Sequence, residues 1–561
     1  MTEDKAKKVC REFEVLYCAD GKKGSTRTNE VTIRYQHRAA ALGVVDSTFR
    51  KGDTYKDSGT ILGRLSNEGL EFAPNASTEA ILTLLRAVSS DREAVYVERS
   101  GWREGREVYV SPTGAVVKKD DDALVYVLDH TMKVANGRAG TLDEAVKAAG
   151  GALKGQNAKR FLPSFLGGAV GCLADFIDEE LAVIVANEGE AKRGKTTALK
   201  AGISWFAAPA ADGLLITGDM TPTAMEGKAV QASGAMFAPD EQGTSKMTAQ
   251  DEQAAILQYA GKIGRARGKQ DGSLRDIATW HGCMGMSTER GLLARLEAEQ
   301  AKDSEVTIRS GAVSRVFTVS YDDAVKLDRE QDKDELAAYD VLAHGGAYGW
   351  LGPEFAKALI ELGVDAVRAG VSALEKEWSA GYAGAAERVV TTAALFGVAA
   401  EVAQEAGLLP SDVDLKAMLA ELLDETIAQR SHHLDTERQA LDTLRRNIIR
   451  MLNQQRIVAA GNEDGIRADV VGYWTTPGKA PSGLKVRTYI LPVDRLGSLS
   501  NTEPAALVEK LRREGGVVEP TDGTKYHKAG FWENTPGEGK RVKSLRVSGE
   551  WVHGDDEDPD D

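Results

Sequence analysis

Residues 181–206, LAVIVANEGEAKRGKTTALKAGISWF, decide the fold class of this chain. The uninterrupted apolar run 181–187 is what a strand covered on both faces requires. Gly189-Glu190-Ala191-Lys192-Arg193-Gly194-Lys195-Thr196 then satisfies G-x-x-x-x-G-K-[ST], and a helical pattern follows, the strand–loop–helix context that this motif needs. Composition alone would produce the pattern about 0.04 times in a chain of 561 residues with 58 glycines. The glycines let the loop turn tightly so that successive N–H groups face one anion, and the helix N-terminus adds partial positive charge. Residues 189–197, through Thr197, are therefore expected to cradle the phosphates of ATP. Lys195 supplies a point charge at the β/γ-phosphates and the Thr196 hydroxyl a ligand for Mg²⁺.

Such a loop needs an acid from another strand. Residues 234–241, GAMFAPDE, place Asp240 and Glu241 after a short apolar run, suiting Asp240 to the metal shell and Glu241 to orienting or deprotonating water. Pro239 beside them is tolerated only at a strand end, and an acidic turn is the plainer alternative. Asp219, after the run 213–217, is the rival acid without an adjacent Glu. Ser287 and Thr288 end the run 278–288 and are candidate γ-phosphate sensors, or simple helix caps. Arg315 is a candidate arginine finger. Between these lies the most basic stretch of the core, Lys262, Arg265, Arg267, Lys269 and Arg275, which could grip a nucleic-acid backbone, send an arginine to a neighbour's phosphate, or be merely solvated.

Working outward, the runs 213–217, 235–239, 279–286 and 316–319 alternate with helical patterns, as in an α/β layer with a mostly parallel sheet. Before it, 77–88 reads as an amphipathic helix and 96–133 as a hairpin turning at Ser-Pro-Thr-Gly. The apolar stretch 161–176 is shorter than a membrane span of about 20 residues and reads as a buried helix. Residues 335–456 are almost wholly helical in pattern, and strands return from about 461, with one helix at 504–514. The expected domains are 1–95 (α+β), 96–160 (β-rich and helical connector), 161–334 (core), 335–456 (helical), 457–552 (small α+β, winged-helix-like or partner-docking) and 553–561 (acidic tail). Lys plus Arg number 70 against 85 Asp plus Glu, a net charge of −15, which excludes a uniformly basic nucleic-acid coat but not a local groove. Four scattered cysteines and eight histidines lack metal-ligand spacing. The N-terminus lacks the apolar segment of a secretion signal, so a soluble, cytoplasmic protein is expected.

The order of features resembles the uncharacterised helicase-like P-loop ATPases of phages, plasmids and integrated elements, often fused to or encoded beside Toprim-type primases. The pieces that carry the resemblance run from about 95 to 550. They are Gly101-Trp102 with VYVSPTG, GEAKRGKTTAL, TAMEG at 223–227, GAMFAPDEQG, GKIGRARGKQDGSLR, WHGCMGMSTERG, SGAVSRV, HGGAYGWLGPEFAKAL at 344–359 and the helix 387–407. Ala191-Lys192-Arg193 and Pro239 depart from that family's small hydroxylated loop and Leu-Asp-Glu ending. The resemblance implies an α/β fold with a P-loop NTPase core of AAA+ (superfamily-3-like) or RecA-like type. It further implies a Mg²⁺-dependent ATPase in a ring, a hexamer, that translocates on or unwinds single-stranded DNA in a pore during replication of a phage or mobile element. Any primase would be a separate partner. The alternative from another class is a nucleotide-gated sensor or assembly, as in anti-phage defence, without unwinding.

Overall fold

The computed structural model describes residues 10–553, apart from 11, 24–25, 40–43, 90–92, 121–123, 130, 135–136, 181, 211–212, 241–246, 269–276, 303–305, 381, 383, 435, 460–471, 480–484, 501–503, 519–526 and 531–540. The chain forms two compact units: Met1–Glu299 with Gly311–Gln429, and Gln300–Ser310 with Arg430–Asp561.

The first unit opens with β1 (Phe13–Lys23), β2 (Thr26–Gln36), β3 (Val44–Arg50), the helices α1 (Asp53–Lys56), α2 (Ser58–Asn67) and α3 (Thr78–Ala87), and β4 (Glu93–Val97). Ser77 caps α3 by accepting the Ala80 N–H at 3.2 Å, and the helix buries Ile81 and Leu85 with Val31, Ile33 and Phe49. The expected hairpin turns where Ser-Pro-Thr-Gly lies, between β6 (Val108–Val110) and β7 (Val116–Lys118), with β5 (Gly101–Trp102) as third strand. The last strand of that stretch, β8 (Val125–Leu128), leaves it and pairs in parallel with β4, giving a sheet of order β3-β2-β1-β4-β8. The expected boundary at residue 95 therefore falls inside β4.

Helices α4 (Leu142–Leu153) and α5 (Ala158–Ile177) lead into the central layer. Of the described helices, α5 alone is long and apolar enough to cross a membrane, and it is buried within the protein. The layer is a five-stranded sheet of order β10-β11-β12-β9-β13, every pairing parallel. Its strands are β9 (Val183–Glu188), β10 (Leu215–Thr217), β11 (Met236–Asp240), β12 (Cys283–Thr288) and β13 (Val316–Ser320). Four expected runs become strands with slightly shifted ends. The run at 279–286 starts as strand only at Cys283, because Thr279 bridges to Ile263 and the Trp280 indole donates to the Tyr259 carbonyl at 2.9 Å. The connections are α6 (Lys195–Ile203), α7 (Pro222–Gln231), α8 (Ala249–Ala260), α9 (Leu292–Gln300) and α10 (Ser310–Val313).

After β13 the chain is helical as its pattern predicts: α11 (Lys333–Ala343), α12 (Leu351–Leu362), α13 (Val364–Trp378), α14 (Ala385–Glu405), α15 (Leu415–Leu434) and α16 (Thr436–Asn453). Phe396 of α14 meets Phe317 of β13, ring centroids 5.6 Å apart. The second unit carries β14 (Ile457–Ala459), β15 (Gly472–Lys479), β16 (Lys485–Pro492), α17 (Val493–Ser500), α18 (Pro504–Arg513), β17 (His527–Gly530), β18 (Arg541–Ser548) and α19 (Gly549–His553) in a sheet of order β14-β15-β16-β18-β17. Its core joins Leu444 and Ile448 of α16 to Leu507 and Leu511 of α18 and to Tyr489, Leu545 and Val547.

Candidate functional site

All five strands of the central sheet run the same way, so the loop after β9, the end of β11 and the end of β12 meet at one edge, its carboxyl edge. The loop 189–194 is held open by backbone geometry that few side chains tolerate. Gly194 has φ 94° and Gly189 φ 127°; a Cβ on Gly189 would stand 2.6 Å from Asp322 Oδ1. That carboxylate accepts the Glu190 N–H at 3.1 Å. Lys192 adopts φ 60° without being glycine, a conformation that costs about 1 kcal/mol or more for an L-residue. Arg193 ties the loop at both sides, through Glu190 at 2.6 Å and the Ala324 carbonyl at 3.0 Å.

Lys195 begins α6, buried, with its ammonium donating to the Gly189 and Glu190 carbonyls at 2.5 Å each. Burial lowers its pKa, and Glu289, Asp322, Asp240 and Glu190 pull the other way. Asn187, at the end of β9, donates to the Lys195 carbonyl at 3.2 Å and accepts from Ser164 of α5 at 2.9 Å, which pins the first turn of α6 to the strand. Sequence reading passed over Asn187, Asp322 and Glu289. A buried Asn closing an apolar run was a legible signal; an Asp after the last strand was not, since only the sheet order brings it beside the loop.

Asp240 ends β11 two strands away from β9. Its Oδ1 accepts from Thr196 Oγ1 at 2.9 Å and from the Ser287 hydroxyl. Pro239 is accommodated because the pairing of β11 with β12 stops at Phe237, while Ile216 and Thr217 of β10 continue beside Pro239 and Asp240. A residue without an N–H thus stands where no β12 bond is required. Glu241, Lys269 and Arg275 lie outside the described residues. Asp219 is exposed after the edge strand β10. The two hydroxyls of β12 separate in role: Ser287 turns to Asp240, whereas Thr288 donates to the Arg290 carbonyl at 2.9 Å. A cavity of about 600 Å³ opens over these groups, lined by 191–197 with Ser287, Thr288 and Glu289. Residues 189 and 190 do not line it; their carbonyls accept from Lys195, which does.

Of the other candidates, Lys262 and Arg315 lie at the opposite, amino edge, whereas Arg267 reaches Thr223 in the first turn of α7, 3.3 Å away. Lys262 follows α8 with φ 59° and donates to the Glu179 carbonyl, with Asp178 at 3.7 Å. Arg265 donates to Gln258 at 3.0 Å, and Arg267 to Glu226 at 2.7 Å, the Glu226 side chain being only 3% exposed. Arg315 immediately precedes β13, where its guanidinium donates to the Gly311 carbonyl; burial, then the charge of Arg388, lowers its pKa. None of these four shares the cavity of Lys195. No cluster of three or more ligating side chains that could hold a metal occurs among the described residues.

Residues 15–279, just under half of the chain, match the model of a domain of unknown function, DUF927. A solved structure described as "SCCmec type IV Cch - active helicase" is similar over 98% of this chain and 96% of that one, with a TM-score of 0.62 at 15% identity. A likeness at that identity shows a shared mixed α/β fold. No curated protein matches the chain.

Proposed function

We propose that the chain is a P-loop ATPase of AAA+ or RecA-like type that drives translocation on, or unwinding of, DNA. The observation that carries this reading is the convergence of Thr196 and Ser287, which line the cavity over the loop, on Asp240 at the carboxyl edge. Hard oxygen donors 2.9 Å apart fit a Mg²⁺ shell completed by phosphate and water oxygens, so Thr196 and Asp240 would hold the ion. The ion, when bound, neutralises charge on the phosphates. Lys195 leaves its two carbonyls for the triphosphate, and the loop amides position it. Ser287 reports phosphate occupancy to Asp240, and Glu241 is the proposed water-orienting base by its place in the chain.

The full-length likeness to a chain described as an active helicase supports DNA as the substrate. Ring assembly, a hexamer, a replication role and a separate primase stay with the proposal. In that assembly Arg315, on the far edge from its own loop, would act on a neighbour's nucleotide, and the 262–275 stretch would face the strand. The decisive measurement is ATP turnover with and without single-stranded DNA, with native mass recorded alongside. Lys195→Ala is expected to abolish turnover, and normal turnover in that variant overturns the site. Turnover without DNA stimulation favours the nucleotide-gated assembly.

A further inference from the structure

A second cavity, of about 390 Å³, shares Lys192, Arg193, Gly194 and Thr197 with the first and continues it away from Ser287. That volume falls in the range of about 300–1,000 Å³ typical of small-molecule clefts. Its inner walls are aromatic and aliphatic: Phe161 of α5, Tyr321 after β13, and Leu336 and Tyr339 of α11. The Phe161 and Tyr339 rings lie 4.9 Å apart. An anion compartment joined to an aromatic one is the shape a nucleotide fills, phosphates at the loop and base among the rings.

Of the polar side chains that line it, Tyr339, Tyr321 and Asn157 are engaged with the protein, Lys192 and Lys326 are exposed, and Thr197 is shared with the first cavity. Tyr339 donates its hydroxyl to Glu335 at 2.8 Å, and Tyr321 donates to the Arg160 carbonyl at 2.8 Å. The Asn157 amide is satisfied on both sides by one residue, donating to the Val325 carbonyl at 2.9 Å and accepting the Val325 N–H at 2.8 Å. Asp340 and His344 stand at the rim with side chains 77% and 54% exposed, where water competes for their hydrogen bonds.

We infer that this cavity receives the base and ribose of the triphosphate, and that it takes the base by ring contact and shape with little discrimination between purines. This rests on the phosphate-loop reading above. Sites that hydrogen-bond a distinguishing group reject the wrong ligand by about 10⁴ or more, whereas shape alone separates ligands by about 10²-fold at most.

The test titrates the full chain, in Mg²⁺, with ATP, GTP and inorganic tripolyphosphate. ATP and GTP are expected to bind within about tenfold of each other, and both on the order of 100-fold more tightly than tripolyphosphate, for the roughly ten ring atoms buried. Tyr339→Ala removes one ring wall, and Val325→Trp, at a 45% exposed rim position, narrows the mouth without touching the core. Both should lower ATP and GTP affinity toward that of tripolyphosphate and leave tripolyphosphate unchanged, and Asp340→Asn should leave the ATP-to-GTP ratio unchanged. Equal binding of tripolyphosphate and ATP overturns the inference. So does full ATP affinity in Val325→Trp, or an ATP preference above about 10³, the mark of a hydrogen-bonded base. Failure of wild type to bind tripolyphosphate and either nucleotide overturns instead the phosphate-loop reading beneath it.

Discussion

Three side chains at the carboxyl edge, Thr196, Asp240 and Ser287, meet within hydrogen-bond reach, and their substitutions should separate binding from turnover. Asp240→Asn keeps the shape but removes the negative charge that Asp240 offers a cation, so turnover should fall by about 10² or more while nucleotide still binds. Isothermal titration beside steady-state kinetics measures both. Ser287→Ala should slow turnover by about tenfold, whereas Thr288→Val, whose hydroxyl is occupied by the Arg290 carbonyl, should alter melting temperature and not kcat. Equal kinetic losses in the two would remove the assignment of Ser287. At Gly189, a methyl group meets both an unfavourable φ and the Asp322 carboxylate. Gly189→Ala should therefore impair nucleotide binding, with partial recovery in the double variant with Asp322→Ala. A double-mutant cycle without coupling rejects that contact.

Helix α5 shows how elements hold the site in place. It lies so close to the sheet that a Cβ on Gly171 would stand 2.0 Å from the Ala235 carbonyl oxygen, whereas one on Gly150 in α4 meets nothing within 4 Å. Gly171→Ala must push helix and strands apart and should lower the melting temperature by several degrees, about 3–6 °C. Gly150→Ala should hold or slightly raise it, since alanine favours helix by about 1 kcal/mol. The amino edge carries a pH response. His281 is desolvated between α5 and the start of β12, with Asp175 at 3.7 Å and Asp178 at 3.5 Å, and Lys262 and Arg99 nearby; burial, against the pull of Asp175, lowers its pKa to about 4. A histidine held neutral in the folded state stabilises above its unfolded pKa of about 6.5 and loses that contribution as pH falls toward 4. The melting temperature should drop through that window, and His281→Gln should flatten the drop.

For the whole molecule, the question is whether nucleotide turnover and DNA are coupled across the sheet. The cavity over residues 191–197 lies at the carboxyl edge and Lys262 at the amino edge, and two arginines of the basic stretch are engaged internally, Arg265 with Gln258 and Arg267 with buried Glu226. Arg267→Glu would break a packed ion pair as well as the proposed nucleic-acid contact, so Arg265→Glu is the cleaner variant. It should abolish DNA stimulation of ATP turnover while basal turnover persists. Stimulation that survives it, and that does not weaken as salt rises, would remove this stretch from DNA binding. With a net charge of −15, the chain offers DNA no general attraction, so any affinity must arise from such local clusters.

Much of the candidate site was legible in residue order, because the pattern that marks it is local. A buried strand, a glycine-bearing turn and a helix start are written consecutively from 181 to 206, and backbone sterics confine such a run to few conformations. The alternation of apolar runs with helical patterns likewise announced a parallel layer, and Asp240, Ser287 and Thr288 stood out at strand ends. Tertiary structure alone decided the rest. The strand order β10-β11-β12-β9-β13 places Ser287 between Asp240 and the loop, brings Asp322 onto the Glu190 amide, and sends Arg315 and Lys262 to the far edge. The reason is that a strand's neighbours are chosen by packing of whole faces against helices, a long-range balance in which no single run carries its partner's address.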